Sequence, residues 1–159
     1  MKHLEAIALS LLIGIAWLFP LTIPSALLTI VAAYLLVQLA EKQNRGKNLL
    51  YWYTIGLLTI TIGFHWLPKT IYAFGGFPKP VAYLIFALFV ASAAFQFFVF
   101  ALLLKLTRKS FLTTIHLATT GSWIAAQFLT PKIFPWELGH PLINIPILCL
   151  LYTSPSPRD

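Results

Sequence analysis

The sequence predicts an all-α fold, a polytopic membrane helical bundle of five spans plus an incomplete sixth. Three observations carry this. The 159 residues are 59% hydrophobic and 9% charged, against about 25% charged in a soluble domain. The apolar residues lie in long runs without the strict alternation of a β-barrel strand. The basic residues cluster in the breaks between runs, where membrane orientation places them.

The first run, 4–19, ends at Pro20. It is short for a span, which takes about 17–25 residues. Lys2 precedes it as in a signal peptide, but the small-residue cleavage pattern is poor and a second run follows at once, so it is read as a retained helix. The second run covers 24–40 and is closed by "EKQNRGKN", the third covers 49–67, and "PKTIYAFGGFPKP", 68–80, is read as a loop. The fourth run, 81–104, is long enough to span with tilt. "KLTRKS", 105–110, is a tight break, the fifth run covers 111–129, and "TPKIFPWELGHP", 130–141, is a second loop. A sixth run starts at Leu142.

Charge sets the expected topology. With the N-terminus inside, the inner segments hold Lys2, Lys42, Arg45, Lys47, Lys105, Arg108 and Lys109, and the outer loops hold Lys69, Lys79 and Lys132. That asymmetry places the N-terminus in the cytoplasm. The net charge of +7 is thus a topology signal, and no basic soluble face is present to bind nucleic acid.

Small side chains mark expected helix contacts, since they let backbones approach closely. They are Gly56, Thr59 and Gly63 in the third run, Ala87 and Ala91 in the fourth, and Thr114, Ala118, Ser122 and Ala126 in the fifth. Gln38, Gln96 and Gln127 are read as hydrogen-bonding glue between helices. His116, inside the fifth run, is read as a packing residue rather than a proton relay. No metal-ligand spacing, Ser/His/Asp set or phosphate loop occurs, and "FGGF" lacks the strand context of a dinucleotide fingerprint. No cofactor, metal or catalytic residue is therefore assigned.

The two outer loops concentrate aromatics: Trp66, Tyr72, Phe74, Phe77, Phe134 and Trp136. An interfacial aromatic belt accounts for such residues, but Gly75, Gly76 and the prolines imply defined turns as well.

A Trp leading to "FGGFP", then "FPWELG" one helix later, with "GIAWLFP" near the start, resembles the amino-terminal membrane region of the apolipoprotein N-acyltransferases, over about residues 14–144. That family often carries Glu and Arg near the positions held here by Gln127 and Thr130. The resemblance implies a multi-pass protein of the bacterial inner membrane with a nitrilase-like domain on its outer face. It implies transfer of an acyl chain from a phospholipid to the amino group of a lipoprotein's N-terminal Cys, through a thioester on a Cys assisted by Glu and Lys. Its partners are the phospholipid donor, the lipoprotein substrate and membrane lipids. None of the three catalytic residues maps onto this chain, and Glu137 and Cys149 are not candidates. By the resemblance, Trp66, Phe74, Phe134 and Trp136 line an outer rim near acyl chains. Gly75, Gly76 and Pro78 shape the first loop, and Pro135 and Gly139 the second. The competing readings are a transporter or channel fragment, which calls for ionisable or broken-helix features at mid-membrane, and a non-catalytic membrane scaffold.

The end of the chain reads differently. "CLLYTSPSPRD", 149–159, resembles the translation of a sequencing-library transposase adapter. Pro155, Pro157, Arg158 and Asp159 are hostile to a membrane helix. The expected organisation is a truncated membrane domain over 1–148, an adapter-derived tail, and a catalytic domain outside the chain.

Overall fold

The computed structural model describes residues 2–18, 23–42, 48–107, 115–134, 136–139 and 141–142. At 2, 3, 41, 42, 115 and 116 only the backbone path is described. Six helices and no strand occur among these residues: α1 (Lys2–Leu18), α2 (Ile23–Lys42), α3 (Leu49–Gly63), α4 (Leu67–Gly75), α5 (Lys79–Thr107) and α6 (Ile115–Leu129).

Local chemistry sets the boundaries of the middle helices. Asn48 caps α3 by accepting a hydrogen bond from the Tyr51 backbone N–H at 3.2 Å. The helix closes at Gly63, where Phe64 N–H still reaches the Ile60 carbonyl at 2.9 Å. Pro68 sits in the first turn of α4, where its missing N–H has no helical partner to lose. Gly76 ends α4 in the left-handed conformation, at φ 67°, a geometry that disfavours a Cβ. The Pro78 carbonyl then accepts from Val81 and Ala82 N–H at 3.0 and 3.1 Å. α5 starts there, earlier than the run 81–104 suggests.

The stretch 68–80 is thus not all loop. Its Pro and Gly bracket a helix whose Leu67 is buried and whose Ile71 is half-buried. The third apolar run is correspondingly split, with α3 ending before Leu67. The sixth run beyond Leu142, Thr114, the adapter-like tail and the polar break 43–47 lie outside the described residues.

α3 is the central helix, packed between α1 and α5; α5 also carries α4 and α6, α2 lies on α1, and α2 meets α6 over a smaller contact. The core is aromatic. Trp52 meets Phe100 edge-on at 5.1 Å, and Trp123 of α6 meets Phe97 and Phe100, each at 5.2 Å. Such edge-to-face pairs add to what burial contributes. Ser10 donates to the Ala6 carbonyl within α1 and lies 3.3 Å from the Ile55 carbonyl of α3. Tyr53 donates to the Ala91 carbonyl of α5 at 3.2 Å.

Gly56 explains the close approach of α3 and α5. A Cβ there would stand 2.8 Å from Phe97 Cδ2 and 2.9 Å from the Ala94 carbonyl oxygen. Thr59 and Gly63 are buried as well, and so are Ala118, Ser122 and Ala126 on α6. Ala91 is half-buried. Ala87, expected in the packing stripe, is instead exposed, because it lies on the outward face of α5 with Tyr83, Leu84 and Leu88, while Ala82, Phe89 and Val90 face inward. Gln38 bonds Tyr34 of its own helix at 3.2 Å and so does not join two helices.

The exterior is apolar too: Leu27, Val31, Tyr34, Leu88, Phe95 and Phe128 are all exposed. α2 (window Ile23–Ala40) and α5 are long and apolar enough to cross a membrane. In both windows less than half of the residues are buried, 39% and 44%, whereas the core helix of a soluble protein would be mostly covered. α1 (Leu4–Leu18) and α3 (Leu49–Gly63) are apolar but shorter. By length and composition, then, two of the described helices qualify as spans, where the sequence led us to expect five.

Candidate functional site

α1, α3 and α6 finish, and α2 and α5 begin, at the same end of the bundle. Phe64, the residue closing α3, is the hub there. Its ring stacks near Trp17 of α1 at 5.9 Å and lies edge-on to Phe89 of α5 at 5.1 Å. It also lies 6.2 Å from Trp66 and 6.3 Å from Phe134. Phe134 in turn meets Phe89 edge-on at 5.4 Å. Phe64, at the end of α3, thus bridges Trp66 ahead of the first loop to Phe134 of the second.

Trp136 goes deeper than the rim position expected of it. It is 2% exposed, stacked on Phe97 at 6.1 Å and edge-on to Trp17 at 6.2 Å. The second loop folds back into the bundle and buries this indole. Lys132 Nζ straps the loop by donating to the Trp136 carbonyl at 3.1 Å, and stands 3.9 Å from the half-exposed Glu137 carboxylate. An exposed pair of this kind contributes about 0–1 kcal/mol. Beyond Thr130, whose hydroxyl donates to the Ala126 carbonyl at 2.7 Å, Pro131 cannot continue α6.

The open surface lies on α4 and its flanks. Phe74 is 88% exposed, and Trp66, Tyr72 and Phe77 are each about half exposed. Gly75 faces Phe77, whose Cδ2 would be 2.9 Å from an added Cβ. Lys79 Nζ stands 5.5 Å from the centre of the Tyr72 ring, within cation–π range. Pro78 is exposed where α5 begins. Pro135 and His140 lie outside the described residues.

A cleft of about 370 Å³ separates α2 from α6. Ile30 and Ala33 form one wall, Trp123 and Gln127 the other, and Leu138 and Gly139 of the second loop close one end. Its volume falls in the range of small-molecule sites, roughly 300–1,000 Å³. The lining is mostly apolar, with Thr29, Gln127 and Glu137 as polar points. Among the described residues no group of His, Cys, Asp or Glu could hold a metal ion. The arrangement suits holding apolar chains; it brings together no nucleophile and base.

The sequence pointed to the loop aromatics but missed Phe64 and Phe89 as the residues that join them. Their signal is positional: each sits on a helix at the level where its neighbours end.

The sequence pattern of the apolipoprotein N-acyltransferase N-terminal domain matches residues 9–153. The match runs past Leu148 into the segment that resembles an adapter. No curated protein and no solved structure matches the chain.

Proposed function

Because the chain belongs to the apolipoprotein N-acyltransferase family through that N-terminal domain, we propose that it is the membrane-anchoring and lipid-access part of such an enzyme. In this reading five spans and the start of a sixth cross the bacterial inner membrane, with the N-terminus in the cytoplasm. The aromatic end then faces outward, beneath a nitrilase-like domain encoded further along. There the donor phospholipid's ester is broken as its acyl chain passes to a Cys, releasing the lysophospholipid, and the lipoprotein's N-terminal amine then displaces the Cys thiol from the thioester to form an amide. In this reading the catalytic Cys, Glu and Lys lie in that later domain, and residues 1–148 alone are inactive. Their work is to hold the catalytic domain at the outer leaflet and to guide lipid tails along an apolar surface.

The observation that supports this most is the aromatic cluster at one end of the bundle, where Phe64 lies 6.2 Å from Trp66 and 6.3 Å from Phe134 of the second loop. Phe74, Trp66 and the apolar cleft are the surfaces the donor's tails would meet. Phe74 and Trp66 are exposed, so truncating them removes surface without opening the core. The full-length Phe74→Ala and Trp66→Ala enzymes should accumulate normally in membranes and transfer acyl chains about ten-fold more slowly, equivalent to roughly 1.4 kcal/mol. Normal transfer by both variants would show that this surface has no part in lipid access.

A further inference from the structure

A second feature sits where the second loop covers α5. Gln96 is 2% exposed, and its Nε2 has no hydrogen-bond partner among the described residues. It lines a narrow, partly open recess of about 10 Å³ between α5 and the loop, together with Ser92, Thr130, Lys132 and Trp136. A buried amide donor without a partner is costly. A recess of this size takes one water where two or more polar groups face it.

The polar atoms around it are complementary. The Thr130 hydroxyl has already given its hydrogen to the Ala126 carbonyl, and that of Ser92 to the Phe89 carbonyl at 2.8 Å. Each oxygen keeps lone pairs for accepting. Gln96 Nε2, by contrast, has only hydrogens to give. Lys132 Nζ donates to the Trp136 carbonyl and stands 3.9 Å from Glu137; it has further hydrogens to give but no lone pair to accept from Gln96. One unpartnered donor thus shares a water-sized recess with two hydroxyl acceptors that have spent their own hydrogens.

We propose that this recess binds a single structural water that accepts from Gln96 Nε2 and donates to the Thr130 and Ser92 hydroxyl oxygens. The water staples the base of the second loop to α5 and so helps fix the buried Trp136. It does not depend on the acyltransferase reading, since the same contacts would form whatever the loop serves.

The test is a double-mutant cycle on the complete native chain in lipid nanodiscs, followed by thermal unfolding. Gln96→Leu removes the donor at similar volume. Thr130→Val removes the acceptor and also its bond to Ala126, a loss present in both backgrounds that therefore cancels in the cycle. With a bridging water, Gln96→Leu lowers Tm by about 2–4 °C. The double variant then falls short of the summed losses, because the water is lost with either partner. A dry recess gives the opposite sign, since Gln96→Leu removes an unsatisfied donor and holds or raises Tm. That result, or simple additivity, overturns the proposal. Should a variant fail to accumulate, a high-resolution map of the unmodified protein decides: a peak within hydrogen-bond distance of both Gln96 and Thr130 upholds the water, and an empty recess overturns it.

Discussion

Gly56 and Gly63 belong to one small-residue motif on α3, yet replacing each by Ala should move stability in opposite directions. At Gly56 the new Cβ would lie 2.9 Å from the Ala94 carbonyl oxygen, while ordinary contact begins near 3.4 Å. That oxygen is helix backbone and cannot rotate away, and Phe97 beside it is fully buried. The helices must part by about half an ångström, and overpacking of this kind costs about 1–3 kcal/mol. The better helix propensity of Ala returns about 1 kcal/mol, leaving a net loss of about 0–2 kcal/mol. At Gly63 the nearest atom to a new Cβ is Trp17 Cβ at 3.6 Å, an ordinary contact. Gly63→Ala should therefore be neutral or stabilising by up to about 1 kcal/mol. Thermal unfolding of both variants in the same detergent, followed by helical circular dichroism, measures the pair. If Gly56→Ala matched the unmodified protein while Gly63→Ala lost stability, the close approach of α3 and α5 at Gly56 would be refuted.

Three further outcomes follow from the same contacts. Trp136→Ala should cost about 3–5 kcal/mol, whereas Phe74→Ala should stay within about 0.5 kcal/mol; denaturant titration of the two separates a buried indole from an exposed ring. Gly76→Ala should cost about 1–2 kcal/mol through its left-handed backbone, with Gly76→Asn milder in the same titration. Asn48→Ala should remove about 1 kcal/mol by uncapping α3, read as lost protection of the Tyr51 amide in hydrogen exchange.

The helical class was legible because lipid-facing and core-facing residues are both apolar, which leaves long runs in the sequence. α4 was not, because Pro68 and Gly76 look the same in a loop as they do at the two ends of a short helix. The small residues announced close packing but not which partner each would meet: Gly56 meets a carbonyl and a Phe, Gly63 a Trp Cβ. The loop aromatics were visible, but their division was not. Phe74 stays open and Trp136 goes inside, and that depends on how the second loop turns back after Thr130, a tertiary event with no local periodicity. Five spans were expected where two described helices are long and apolar enough, since α3 yields its end to the turn at Phe64 and α6 is described from Ile115.

As proposed, this chain is the membrane portion of an acyltransferase whose chemistry lies downstream. Sequencing the source DNA past the codon for Leu148 tests it most directly. The frame should continue through further apolar spans into a domain carrying Glu, Lys and Cys in nitrilase-like order. Genomic codons for residues 149–159 followed by a stop would contradict it.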